Sequence, residues 1–448
     1  MASRFAGKID KLWQLRSIMP EITEIKLQNG LKILLKEIHT APIISFWVWY
    51  RVGSRDEING QTGISHWVEH MQFKGTPRFP ASVLDRAISR DGGMWNAFTY
   101  LDWTTYFETM PADKIELALH LEADRMVNST FDPQEVASER TVVISEREGN
   151  ENEPLFLLGE AVQAAAFRVH PYHHEVIGDL ADLHLISRDD LYNHYRTYYT
   201  PNNAVVAVAG DFETQVMLQK IRSFYEDIPP GPEPPRLVRE EPPQRGEIRL
   251  TVEGPGETTY IQTAYHCPPA AHPDFFPLTV LDSLLTGPSS LNMFGGGGTS
   301  NRTSRLYRAL VEKDLAVSVG GGMMATIDPY LYNITITVHP QRKPEEVLIA
   351  LDTEIGRLQQ ERVTEAEVAR AIKQARALFA YGSENITNQA FWLGYAEMFA
   401  SYQWFLNYLE RLASVTPEEV QRVAQTYFRP QNRVVGIYLP SGSGDKTA

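Results

Sequence analysis

Apolar and polar residues alternate along 24–27 and again along 31–36, on either side of Asn29-Gly30. Alternation with a period of two reads as strand, and an Asn-Gly pair between two such runs predicts a tight antiparallel hairpin. Similar alternation returns over 247–252 and 259–265, which matches that opening in the second half of the chain. Helical spacing predicts one helix over 114–128 and a second over 135–148, the latter opening at Asp132-Pro133. The later half repeats the pair over 344–360 and 367–379, with Thr364-Glu365 at the second start. Each half then closes on a helix, a Pro-Asn turn and a strand. These are 189–198, Pro201-Asn202-Asn203 and 204–208, and then 417–427, Pro430-Gln431-Asn432 and 433–438. The repeated order predicts an α+β fold of two homologous domains from an internal duplication, each a mostly antiparallel β-sheet packed with helices.

Length and composition fit that reading. A chain of 448 residues is too long for one ordinary domain, and 43% hydrophobic residues supply sizeable cores. Residues 228–246 are rich in proline and charge, a composition that favours extended backbone, so they are expected to link a domain over 1–227 to one over 247–448. The net charge of −14 disfavours nucleic acid as the main partner, because phosphate binding needs a positive face. One cysteine, Cys267, excludes an intrachain disulfide framework and a cysteine-rich metal site. No export signal and no apolar run of spanning length stand in the sequence, so a cytoplasmic protein is expected.

The candidate chemistry lies in His66-Trp67-Val68-Glu69-His70. Two histidines four residues apart fall on one face of a helix, about one turn apart, and both can reach one metal ion. Glu69 can approach the same ion without binding it and act as general base on a bound water. The order H-x-x-E-H is the inverse of the commoner H-E-x-x-H zinc-protease motif. The second half reads Thr279-Val280-Leu281-Asp282-Ser283 at the matching place, so one site per chain is expected. A third ligand must come from elsewhere. Glu139 and Glu146 are seven residues apart, hence on one helical face, but spacing alone does not separate a metal-directed pair from an exposed acidic face.

The run His66-x-x-Glu69-His70-Met71-x-Phe73-Lys74-Gly75-Thr76 resembles the M16 (pitrilysin-type, inverzincin) metallopeptidases, in the branch of the mitochondrial processing peptidase and its bacterial relatives. A glutamate 76 residues after His70 belongs to the same pattern. So do Gly92-Gly93-x-x-Asn96-Ala97-x-Thr99, His170-Pro171-Tyr172, Tyr199-x-Pro201-x-Asn203 and Ser304-Arg305-Leu306-Tyr307, and the likeness runs from about residue 21 to residue 440. The resemblance implies that His66, His70 and Glu146 hold one zinc ion per chain, that Glu69 is the catalytic base, and that Glu139 orients a ligand from behind. It also implies that Asn96, Ala97 and Phe98 form an edge strand on which a peptide substrate lies.

The pattern breaks in the second half. Active relatives carry an arginine and a tyrosine that hold the substrate backbone and the developing oxyanion, whereas Val311 and Val317 stand at those places here. Valine has no donor. Either a homologous second chain supplies the pair in a heterodimer, which is the reading preferred, or the chain is a specialised homodimeric peptidase. A non-catalytic assembly subunit is the rival reading, as is zinc that only holds the fold. Gly295 to Gly298 resemble a glycine-rich substrate loop or form a plain surface loop. His170, His173 and His174 are expected to pack rather than bind a second metal. Glu148, Glu151 and Glu153 either favour basic peptides or are a solvated loop.

Overall fold

The computed structural model describes residues 22–288, 301–382 and 384–441. Two sheets organise the chain. The first is six-stranded, in the order β1-β2-β6-β3-β5-β4, from Ile22–Lys26 (β1), Lys32–Glu37 (β2), Ile43–Tyr50 (β3), Met94–Thr99 (β4), Thr104–Pro111 (β5) and Ala204–Gly210 (β6). The second is five-stranded, in the order β7-β11-β8-β10-β9, from Ile248–Gly254 (β7), Tyr260–Cys267 (β8), Ala316–Met323 (β9), Tyr330–Val338 (β10) and Arg433–Pro440 (β11). Among the described residues only the β2–β6 and β7–β11 pairs are parallel. Without β1 the two orders coincide, strand for strand, including the position of the parallel pair. The expected α+β duplication with mostly antiparallel sheets is therefore what the chain forms.

One detail of the expected correspondence is corrected. β1 and β2 do pair as a hairpin, with Gly30 at φ +92° in its turn. The matching runs of the second half do not: β11 lies between β7 and β8. The counterpart of β7 is β2, that of β8 is β3, and β1 has none. The physical reason is the Asn-Gly turn, which forces direct pairing of its two arms, whereas the loops β2–β3 and β7–β8 are long enough to step over an inserted strand.

β3 is buried along nearly its whole length because both faces of its sheet are covered. Phe46, Val48 and Tyr50 enter a core with helices of the first half, including Ile64–Met71 and Ile115–Asn128. Trp47 and Trp49 face the other way, onto the helix Ile386–Phe399 from the second half. Phe391 of that helix lies 5.4 Å from the ring centres of both tryptophans. The exchange is reciprocal. The helix Pro154–Ala166 of the first half packs on β7, β8 and β11, with Leu158 and Val162 against Gly436. A polar knot adds to the seam: Asp328 takes Arg55 at 2.6 Å and His170 at 3.1 Å, and Asp102 takes Tyr172 at 2.6 Å and the Ile327 amide at 2.9 Å. Residues 229–247 carry neither helix nor strand apart from a bend. No helix among the described residues is long and apolar enough to cross a membrane.

Candidate metal centre

The motif sits on the helix Ile64–Met71, whose start is built from a distance. Gly63 takes φ +85°, and a Cβ there would come 2.3 Å from the Ile177 carbonyl. The Glu57 carboxylate accepts from the Gly63 and Ser65 amides at 2.8 and 2.9 Å, satisfying donors that a helix start leaves open. His174 holds Glu57 in turn at 2.9 Å. His170 and His174 are thus each engaged with a carboxylate, in agreement with packing roles for that cluster.

The second element is the helix Pro133–Asn150, capped by Asp132, whose carboxylate accepts from the Gln134 and Glu135 amides. It brings Glu139 and Glu146 to the motif helix. His66 Nε2 lies 3.9 Å and His70 Nε2 3.6 Å from the Glu146 carboxylate. One donor atom from each of the three residues falls within 4.8 Å of the others, the one such cluster of metal-capable side chains among the described residues. A tetrahedral ion with ligands at about 2.0–2.2 Å sets them roughly 3.5 Å apart, so the trio needs little adjustment to close on one. Burial, and the neighbouring His70, push the His66 pKa down to about 3, which leaves the imidazole neutral with a lone pair to give. Its Nδ1 is buried without a hydrogen-bond partner among the described residues. Two imidazoles and a carboxylate form a nitrogen and oxygen donor set of the kind zinc accepts.

Glu139 is not part of an exposed acidic face. It is 5% exposed, meets His70 Nδ1 at 2.9 Å, and forms an ion pair with Lys74. Burial alone raises its pKa, but the hydrogen bonds from His70 and Lys74 outweigh that and hold it below the usual range. For His70 burial works downward and is overcome by Glu139 and the other two carboxylates, so its pKa is raised. The contact fixes the ring so that Nε2 faces Glu146.

Glu69 lies outside the trio and is nearly buried. Burial pushes its pKa up to about 7, against a hydrogen bond from the Thr99 hydroxyl at 2.6 Å. Thr99 ends β4, which among the described residues pairs only with β5 and so forms an edge of its sheet. Asn96 on β4 is exposed, Ala97 is buried, and Phe98 is half-buried. The Ala97 amide donates to the Asn96 side chain at 2.9 Å. Neither Thr99 nor Lys74 was assigned a role from sequence, although both stand inside quoted motifs. For Lys74, the four-residue step from His70 was an available signal.

Val311 closes the helical turn Tyr307–Val311 and packs, half-buried, against the larger core. Val317 lies on the edge strand β9 and is 56% exposed. Neither brings a donor. Asp282, in the helix Phe275–Leu285 that replaces the motif helix, is bonded to Tyr332 at 2.7 Å and Thr286 at 2.6 Å. Of the acidic stretch, Glu151 is 3.4 Å from Arg147, which also binds Glu160 at 2.7 Å. Gly295 to Gly298 lie outside the described residues.

Comparison with known proteins agrees with the geometry. Residues 32–180 match the family model described as insulinase (peptidase family M16), and residues 185–375 match the peptidase M16 inactive domain. The zinc protease PqqE of Helicobacter pylori is 28% identical over 426 residues, covering 92% of each chain. The probable mitochondrial-processing peptidase subunit beta of Arabidopsis thaliana is 27% identical over 435 residues, covering 94% of this chain and 79% of that one. A solved structure of a protease from Helicobacter pylori aligns with a TM-score of 0.87 at 26% identity, covering 94% of this chain and 100% of that one.

Proposed function

The chain belongs to the M16 family of peptidases, and from that premise we propose that it is a zinc-dependent endopeptidase of peptides or unfolded segments. The observation that carries the proposal is the convergence of His66, His70 and Glu146 beside the buried carboxylate of Glu69. In this reading the trio holds one zinc ion per chain, and zinc so bound supplies a water of lowered pKa and a positive charge for the scissile carbonyl. Glu69 takes the proton from that water and returns it to the leaving amine. Its burial keeps the carboxylate basic enough for the first task. Glu139 holds the His70 ring with its far nitrogen toward Glu146. An extended peptide would add to the open edge of β4 along Asn96, Ala97 and Phe98, gaining main-chain hydrogen bonds.

We assign residues 1–227 to the metal-bearing unit, 228–246 to the linker and 247–448 to the homologous unit without a metal. Val311 and Val317 cannot serve a developing oxyanion, so a homologous second chain is proposed to supply an arginine and a tyrosine. The relative from Arabidopsis is itself named a subunit, which supports a two-chain enzyme, and a homodimer is the alternative. The same two valines favour one rival reading, a non-catalytic assembly subunit. Metal analysis and peptide hydrolysis on the protein purified with whatever chain accompanies it decide between them. About one zinc per chain and turnover are expected. Glu69→Gln is expected to keep the zinc and lose at least about 100-fold in kcat. Full activity in that variant would refute the base, and absence of zinc would favour the scaffold.

A further inference from the structure

The Glu69 carboxylate and the open edge strand β4 meet at Thr99, whose hydroxyl donates to that carboxylate. Trp95, Ala97 and Thr99 lie on one face of β4, two residues apart. That face meets the motif segment at two points: Trp95 stands edge-on to Phe73 at 4.8 Å, and Thr99 donates to Glu69 at 2.6 Å. The donor's direction is determined by its neighbours. Thr104 gives its hydrogen to the Val52 carbonyl at 3.0 Å, so toward Thr99, 3.3 Å away, it has only an oxygen to offer. The Thr99 hydroxyl is thus the one of the two threonine hydroxyls with a hydrogen for the Glu69 carboxylate.

The strand end itself is pinned. Tyr100 N donates to the Trp103 carbonyl at 2.8 Å, and the Tyr100 and Leu101 carbonyls take the Ser54 and Arg55 amides at 3.1 and 2.8 Å. A Cβ on Gly53 would stand 2.3 Å from the Tyr100 oxygen, so this crossing is as close as backbone allows. The strand that would receive the substrate therefore ends, with little freedom, on the group that would take the proton.

We propose that Thr99 is a positioning residue that sets the register between a peptide on β4 and the Glu69 carboxylate. The inference rests on the peptidase reading above. A bond of this kind acts on the chemical step and not on peptide capture, because the hydroxyl is buried and faces Glu69. The test compares Thr99→Val, which keeps the shape and removes the donor, with Thr99→Ser, which restores it. Both are assayed on an internally quenched peptide, with the enzyme purified alongside any companion chain. Thr99→Val is expected to lower kcat about 10- to 100-fold, the size expected for losing a hydrogen bond to a charged group, with KM within about twofold. Thr99→Ser is expected to recover most of the loss. Zinc content should be unchanged, and so should the affinity for the uncleaved peptide when Thr99→Val is placed in the Glu69→Gln background and read by fluorescence anisotropy. Should Thr99→Val not fold, Thr99→Ala carries the same comparison. A wild-type kcat without the hydroxyl, a loss confined to KM, or no rescue by serine would overturn the proposal while leaving the peptidase reading intact. A wild-type protein that holds no zinc and cleaves no peptide would remove both.

Discussion

Glu139 shows how much a single buried side chain contributes to this centre without joining it. One oxygen meets His70 and the other meets Lys74, so the carboxylate is held at both ends. Glu139→Gln keeps the volume and an acceptor but removes the charge that favours a correctly turned imidazole. Zinc affinity measured by chelator competition is expected to fall roughly 10- to 100-fold, with a thermal midpoint close to wild type. Unchanged affinity would mean that packing alone orients His70. The two histidines were legible as a pair because an i,i+4 spacing puts side chains on one helical face whatever the rest of the fold does, whereas Glu146 was reached only through the family resemblance. The choice between an active pair and a solvated acidic face was not legible. For Glu139 it depends on burial against His70, 69 residues away in sequence, whereas Glu146 stays exposed and is set apart only by its approach to the two histidines. Thr99 escaped for the same reason, since its partner is 30 residues distant and only the strand–helix crossing brings them together.

At the scale of elements, the helices with one apolar face were legible and the two exchanged helices were not. The helix Ile386–Phe399 is buried on nearly every side, so its sequence carries no amphipathic period to detect. Its close approach to the first sheet depends on Gly394. A Cβ there would fall 2.0 Å from Trp49 Nε1, a clash that one of the two elements must relieve. Alanine is the better helix former, worth roughly 0.5–1 kcal/mol over glycine. The contact outweighs that preference here, because overpacking a closed core costs about 1–3 kcal/mol. Gly394→Ala is therefore expected to lower the thermal midpoint, and Gly394→Val to lower it further. A raised midpoint in the alanine variant would show that the helix can shift away from the tryptophan freely.

For the whole molecule, the exchange of helices changes what a domain means in this chain. Composition places a linker at 228–246, and the sheets do fall on either side of it. Yet each sheet has one face closed by a helix from beyond that linker. Cut there, the first half would expose Trp47, Trp49 and Phe107, all of which are buried now. The second would bare the side of β7, β8 and β11 that Leu158 and Val162 cover. Apolar patches of that kind drive association in water. The polar knot at Asp102 and Asp328 would also open, leaving groups that are now paired across the seam. The two halves are thus expected to unfold as one cooperative unit, seen as a single calorimetric transition. Residues 22–227 expressed alone should aggregate. Coexpressed with 247–441, they should be recovered as a soluble complex that binds zinc, because the closing helices are then supplied in trans. Two separated transitions, or a soluble and folded 22–227 on its own, would show that the exchanged helices merely lie on sheets that close without them.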